Sequence, residues 1–229
     1  MPLAGRALLV LWNDVRRDRE VEYDRWHTIE HVPERVAVPG FLGGRRYVDR
    51  TRERHRYFTL YELATLAALD TDEYRDLVAN PTPWSASMRP DFANFVRVPA
   101  SVGASEGDGI GAAVAVMCVT GERVDVPPHE LVELDGVVAA HCAHGEPARG
   151  PGTWQAAGGA VERAFDTLLL VETFDRASAE RVLREVAPRL GLDASRGDFG
   201  AAVYDLAFAL PGDVGVRERH RRAHWTPLA

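Results

Sequence analysis

A repeated order of elements constrains this chain more than any single motif. Two apolar runs, Ala7–Trp12 and Ala112–Val119, each read as a buried strand and each open the same succession of patterns. In the first half a helix is expected from Asp18 to Val32, bent or ended by Pro33, and Val38-Pro39-Gly40 marks a turn. Phe41–Asp49 and Arg56–Leu63 read as strands close enough to form an antiparallel hairpin. Leu66–Ala79 has helical spacing and is broken by Asn80-Pro81-Thr82-Pro83; Trp84–Phe92 suits a short extra helix and Phe95–Val98 a closing strand. In the second half Gly136–Ala143 and Phe165–Phe174 take the places of the hairpin strands. Ala177–Leu190 is an amphipathic helix and Gly200–Leu210 a closing strand. The first helix of this half is its poorest element, because Pro127 and Pro128 leave only the short Leu131–Leu134 for it.

Each half therefore reads β-α-β-β-α-β, the split βαβ order of a ferredoxin-like unit. Such a sheet carries helices on one face, and its other face needs a cover. Two units in one chain can cover each other. The predicted fold is α+β, with tandem ferredoxin-like repeats packed as an α/β-barrel pseudo-dimer. The expected boundaries are residues 1–100 for the first repeat, 101–111 for a linker within the Gly-, Ser- and Ala-rich Pro99–Gly111, 112–212 for the degenerate second repeat and 213–229 for a basic tail. Edge strands leave a homodimer open.

The net charge of −7 speaks against bulk binding to nucleic acid or an anionic membrane. All 27 basic residues are arginine, so no step can use a lysine Schiff base. No apolar stretch approaches the ~18 residues of a spanning helix, and no secretory signal is visible. Cys118 and Cys142 lie in no zinc-like array. A cytoplasmic protein with reduced thiols is expected.

The densest chemistry lies in Tyr23-Asp24-Arg25-Trp26-His27-Thr28-Ile29-Glu30-His31-Val32-Pro33. On a helix, Asp24, His27 and His31 share one face, with Val21, Trp26, Ile29 and Val32 towards the other. One reading is a solvated face with a capping role. A second is proton transfer, since histidine titrates near neutral pH and Asp24 or Glu30 could set its tautomer. A third is a divalent metal held by the two imidazoles and Asp24, although the glutamate of His-Glu-x-x-His is missing.

The run Trp26-His27-x-x-Glu30-His31-Val32-Pro33-Glu34-Arg35, then Val38-Pro39-Gly40-Phe41 and Arg45-Arg46-Tyr47, resembles the EthD-like proteins of the dimeric α/β-barrel superfamily. Those proteins often carry W-Y-x-x-E-H-V-P followed by V-P-G-F and R-R-Y. Tyr57–Tyr61-Glu62-Leu63, Tyr74, Pro81-Thr82-Pro83-Trp84 and Phe95–Arg97 fit the same pattern. The resemblance is confined to the first half and departs at His27, where the family often has an aromatic residue. It implies a pocket between sheet and helices and a catalytic role for His31. It also implies kinship with cofactor-free cyclases, isomerases and quinone-forming monooxygenases, and with haem-handling proteins.

Among other candidates, alternation sends Arg46 to one strand face and Arg45 and Tyr47 to the other. One arginine could hold a substrate carboxylate or phenolate, or pair with Asp49, Glu53 or Glu62. Tyr61, Trp26 and Trp84 could line an aromatic pocket or simply fill the core. Cys142 and His144 would face one way on their strand and His141 the other, a weak hint of a Cys/His pair. The glycines of Gly150-Pro151-Gly152 and Gly158-Gly159 lack a phosphate-binding context. The tail from Arg217 to Trp225 reads as solvated, or as docking Trp225 over a pocket.

The functional expectation is a cofactor-independent enzyme moving protons on a small aromatic or polyketide-like substrate, by cyclisation, isomerisation, dehydration or decarboxylation. His31 would be acid or base and His27 would assist. Asp24 or Glu30 would orient, and Arg46, Tyr47, Tyr61, Trp26 and Trp84 would bind. A non-catalytic binding protein, or a haem- or metal-dependent oxidoreductase with His27 or His31 as ligand, are the alternatives.

Overall fold

A computed structural model describes residues 3–150, 164–193 and 200–225 of the chain. Eight antiparallel strands are β1 (Ala7–Val15), β2 (Phe41–Val48), β3 (Tyr57–Leu63), β4 (Phe92–Gly107), β5 (Ala113–Val119), β6 (Val137–Gly145), β7 (Thr167–Thr173) and β8 (Ala201–Pro211). They close into one barrel in the order β1-β3-β2-β8-β5-β7-β6-β4. Within the first half the neighbours run β4-β1-β3-β2, and within the second β8-β5-β7-β6. Two seams join these sets, β2 with β8 from Gly43↔Pro211 to Val48↔Asp205, and β4 with β6 from Ala100↔Gly145 to Gly107↔Ala139.

The second seam corrects the sequence reading. Pro99–Gly111 was expected to be a linker, but β4 continues without a break to Gly107. Its first part pairs with β1 as far as Ser101, and its last part pairs with β6. Small residues suit this stretch because β4 must bend from one sheet into the other with little side-chain bulk. The glycines of 151–163 lie outside the described residues.

Side chains alternate across the barrel wall. Leu8, Val10, Trp12, Tyr47, Phe58, Leu60, Val98, Val116, Leu168, Leu170 and Tyr204 point inwards and form one core drawn from both halves. These side chains fill the middle of the barrel. The alternate positions face outwards beneath the helices. On the first half these are α1 (Glu20–Trp26), a π-helical turn (His27–His31), α2 (Val32–Val36), α3 (Asp72–Ala79) and α4 (Pro83–Met88). Thr71 and Thr82 cap α3 and α4 through side-chain oxygens that accept from Tyr74 N and Ser85 N. On the second half α5 (Pro128–Leu131) is a single turn and α6 (Arg176–Val186), capped by Asp175, does most of the covering.

The Val38-Pro39-Gly40 turn forms as expected, with Gly40 at φ +87°, a conformation that favours glycine. Gly44 on β2 lets α2 approach, since a Cβ there would stand 2.8 Å from Val32 Cγ1. The tail is docked from α7 (Val214–His220) to Trp225, which is buried in the apolar cluster under α2 and α3. Its indole N–H donates to Asp76 Oδ2 at 2.8 Å, and Arg222 Nη1 donates to the Asn80 carbonyl at 2.7 Å. Among the described residues no helix is long and apolar enough to cross a membrane.

A charged cluster ties both halves together at one end of the barrel. Arg45 on β2 bonds Glu62 on β3 and Glu172 on β7. Glu172 also accepts from Gly111 N at 2.8 Å and from His141 Nε2 at 3.2 Å, and His141 Nδ1 meets Ser105 Oγ at 2.8 Å. Burial alone would raise the Glu172 pKa, but the His141 bond and the Arg45 charge outweigh it and hold the group below the usual carboxylate range. Glu172→Gln should therefore cost about 3 kcal/mol in urea unfolding at neutral pH. The folded state holds this carboxylate ionised more tightly than the unfolded chain does. The advantage of Glu172 over the Gln variant should thus fade as pH falls through its depressed folded value. Equal urea midpoints at neutral pH would contradict the assignment.

Candidate functional site

A cavity opens between the outer face of the first-half sheet and its helices, enclosing about 570 Å³ of atom-free space with its mouth included. Strand positions of one parity supply its floor: Leu9, Leu11 and Asn13 from β1, Thr59 and Tyr61 from β3, and Phe95 and Arg97 from β4. His27, His31 and Arg35 descend from the helical side, and Tyr74, Val78 and Phe92 complete the wall. Apolar and aromatic lining with a few polar groups is the usual make-up of a small-molecule site.

The π-helical turn decides what the histidines do. Its wider turn, a form often found at functional sites, presents His27 and His31 to the cavity with ring centroids 4.7 Å apart. His27 is buried and stacks on Tyr23 at 5.0 Å; His31 packs on Trp26 at 4.1 Å. The expected division of faces therefore does not hold. The imidazoles share the inner side with Trp26 and Val32, while Val21 and Ile29 face solvent. A solvated histidine face does not occur.

Asp24 and Glu30 do not orient either imidazole. Asp24 Oδ1 pairs with Arg46 Nη2 at 2.9 Å and its other oxygen with Arg50. Glu30 Oε1 accepts from Trp26 Nε1 at 3.1 Å, Thr82 Oγ1 at 2.6 Å and Ser85 Oγ at 3.0 Å, which braces the turn against α4. Both carboxylates hold the helix in place from behind. Arg46 is buried below the helix, where Nη1 donates to Thr28 Oγ1 at 2.9 Å, and it does not line the cavity. Tyr47 is in the barrel core, and Trp84 Nε1 donates to Glu22 outside the cavity. Of the residues expected to bind substrate, Tyr61 lines the cavity and Trp26 stands directly behind His31.

The partner of His31 is Arg35, which the sequence reading passed over although it stands one helical turn onward. Arg35 Nη1 lies 3.0 Å from His31 Nδ1. A guanidinium only donates, so Nδ1 accepts and the proton of the neutral ring is on Nε2. Among the described residues nothing bonds Nε2, which leaves it a donor. Burial, and then the charges of Arg35 and Arg46, hold the His31 pKa well below the usual histidine range; burial and the charge of Arg46 do the same for His27. His27 Nδ1 and the Tyr61 hydroxyl are both buried without a hydrogen-bond partner. Unpaired buried polar atoms are rare and call for an explanation.

Asn13, Thr59, Tyr74 and Arg97 were also not anticipated. A signal for them was present, because polar residues recur at every second position of apolar strands, with Asn13 after Leu9 and Leu11 and Arg97 after Phe95. Among the described residues the second half has no such floor. The positions paired there as Asn13, Thr59, Tyr61 and Arg97 are paired here hold Val119, Leu169, Val171 and Ala201, and most of this face is packed as an apolar core beneath α6. Cys142 Sγ contacts the Val124 carbonyl and His144 Nε2 lies 3.4 Å from Asp125, so the two form no pair. Burial pushes the Cys142 thiol up.

Among the described residues no three His, Cys, Asp or Glu side chains converge as a metal site would require. Asp24, the third ligand of the metal reading, is engaged by Arg46 and Arg50.

No protein-family model matches the chain, and no curated protein matches it in sequence. Solved structures do match its fold. An anthrone oxidase-like protein superposes over 93% of this chain and 96% of its own at 12% identity, with a TM-score of 0.57. A candidate monooxygenase from Fusobacterium nucleatum matches over 91% and 95% at 12% identity and 0.49. Another from Lactobacillus acidophilus matches over 90% and 96% at 7% identity and 0.49. The first likeness is one of fold: the two chains share an architecture, which here is an antiparallel barrel closed by one chain.

The tautomer can be checked directly. In nitrogen-15 spectra of histidine-labelled protein, His31 should report a neutral Nε2–H ring, and neither His31 nor His27 should titrate near the ordinary value of about 6.5. The unfolded chain takes up those protons and the folded chain does not, so stability should fall as pH drops below about 6.5. An Nδ1–H tautomer for His31, or a normal titration, would overturn the assignment.

Proposed function

We propose that this chain is a small-molecule enzyme that ionises an aromatic or polyketide-like carbonyl compound by acid-base chemistry without a cofactor. One observation carries the reading: two neutral imidazoles and an unpartnered tyrosine hydroxyl meet inside an otherwise mostly apolar cavity. His31 Nε2–H would donate to the substrate carbonyl oxygen, joined by the Tyr61 hydroxyl. Fixed donors of this kind stabilise an enolate oxygen as charge develops. A neutral imidazole donor, with its second nitrogen held by a positive group, is well suited to that role. His27 has a buried, unbonded nitrogen, and it would take the proton from the carbon that the carbonyl acidifies, either beside it or conjugated with it. Its low basicity in the resting site is offset when the enolate forms next to the new imidazolium. The proton then returns to another carbon, or a leaving group departs, according to the substrate.

This moves His31 from general base, one of its two expected roles, to hydrogen-bond donor. The common neighbour order of the two strand sets supports reading the chain as a tandem of ferredoxin-like repeats, the second kept for barrel closure. The first-half motifs support an EthD-like origin. Its fold likeness to an anthrone oxidase-like protein makes anthrone a natural first ketone to assay.

The test is solvent deuterium uptake at the carbon the carbonyl acidifies, which is C10 across the central ring in an anthrone and the α-carbon in a simple ketone, followed by proton spectra over a panel of both. His27→Ala should slow exchange by about 10²–10⁴-fold. His31→Phe, which removes the donor, should slow it by about 10²-fold or more. Exchange unaffected by both changes, or absent across the panel while the ketones bind, would favour a carrier. His31 Nε2 is also a nitrogen that could hold a haem iron, so a Soret band in the purified protein would replace this reading.

A further inference from the structure

Four arginines are buried among the described residues: Arg45, Arg46, Arg56 and Arg97. Three of them meet carboxylates. Arg45 has Glu62 and Glu172, Arg46 has Asp24, and Arg56 has Asp14 and Glu20. Arg97 is the exception. It is 4% exposed, and its partners are neutral, the Arg149 carbonyl at 3.1 Å from Nη1 and the Tyr74 hydroxyl at 3.5 Å from Nη2. Its side chain lines the cavity together with that of Arg35, and the lining contains no aspartate or glutamate. A buried cation is ordinarily paired, because low-polarity surroundings penalise an isolated charge heavily. Here the missing anion is absent on the side that faces the cavity.

From this geometry we infer that the substrate is an aromatic carboxylic acid, bound as its carboxylate by the guanidinium of Arg97. The planar guanidinium presents paired N–H donors that match a carboxylate, a neutral amide matches it poorly, and Tyr74 beside it can share the contact. The apolar wall of Leu11, Phe92 and Phe95 accepts the flat ring. Arg97 is thus a binding and specificity residue, with the imidazole pair left to the reacting carbonyl. The inference rests on the reading of the cavity as an aromatic small-molecule site. It adds a charge requirement that proton transfer by His27 and His31 does not need.

The test is calorimetric titration of the full chain at neutral pH with 3-hydroxy-2-naphthoate and with its neutral carboxamide. The acid should bind about tenfold or more tightly than the amide. Arg97→Met should remove that preference by weakening the acid and leaving the amide unchanged. Arg97→Lys should restore part of it. The melting temperature of unliganded Arg97→Met should not fall, since an unpaired buried charge is being removed; a structural arginine would show the opposite. Equal binding of acid and amide by the unaltered protein overturns the charge requirement and leaves the aromatic site standing. Binding of neither probe overturns both readings.

Discussion

Closure of the barrel at its two seams is the constraint on which the rest of the molecule depends. A four-stranded sheet leaves edge strands with unpaired backbone groups and one bare face. The β2–β8 and β4–β6 ladders remove both problems at once. They also bring Arg45, Glu62, Glu172 and His141 together from strands distant in the chain, so the seam is locked by charge as well as by backbone bonds. With the middle of the barrel filled by side chains of all eight strands, the cavity that holds the two histidines lies outside the barrel wall.

That outer space exists on the first half because polar side chains break up what would otherwise be an apolar core. The carboxylates near the histidines work as anchors: Asp24 grips Arg46, and Glu30 joins the helix to α4. Freed of carboxylate partners, the two imidazoles experience burial and positive charge together, and both effects favour the neutral ring. A neutral imidazole can donate from one nitrogen and accept at the other. Arg35 fixes which nitrogen does which on His31. The second half, with valine, leucine and alanine at corresponding strand positions, has its own core and supplies closure.

Much of this was legible in the sequence. The order of elements, the strand alternation and the turn at Gly40 are local properties, written in the spacing of apolar residues and in glycine and proline. The run from Trp26 to Pro33 stood out because two histidines within one helical turn are chemically conspicuous. What failed was mostly the pairing of side chains far apart in the chain. Asp24 beside His27 looked like a catalytic partner until the fold supplied Arg46 from β2. Pro99–Gly111 looked like a linker because small polar residues are common to linkers and to a strand that bends between sheets.

The sequence by itself determined the strands, most of the helices, the apolar faces and the pair of histidines, because each depends on neighbours a few positions away. Tertiary structure alone decided which strands form the seams of the barrel and the direction in which the histidines point. It also decided the tautomer of His31 and which buried arginine is left without a carboxylate. Those outcomes depend on which distant charges share one low-dielectric space, and no spacing along a chain encodes that.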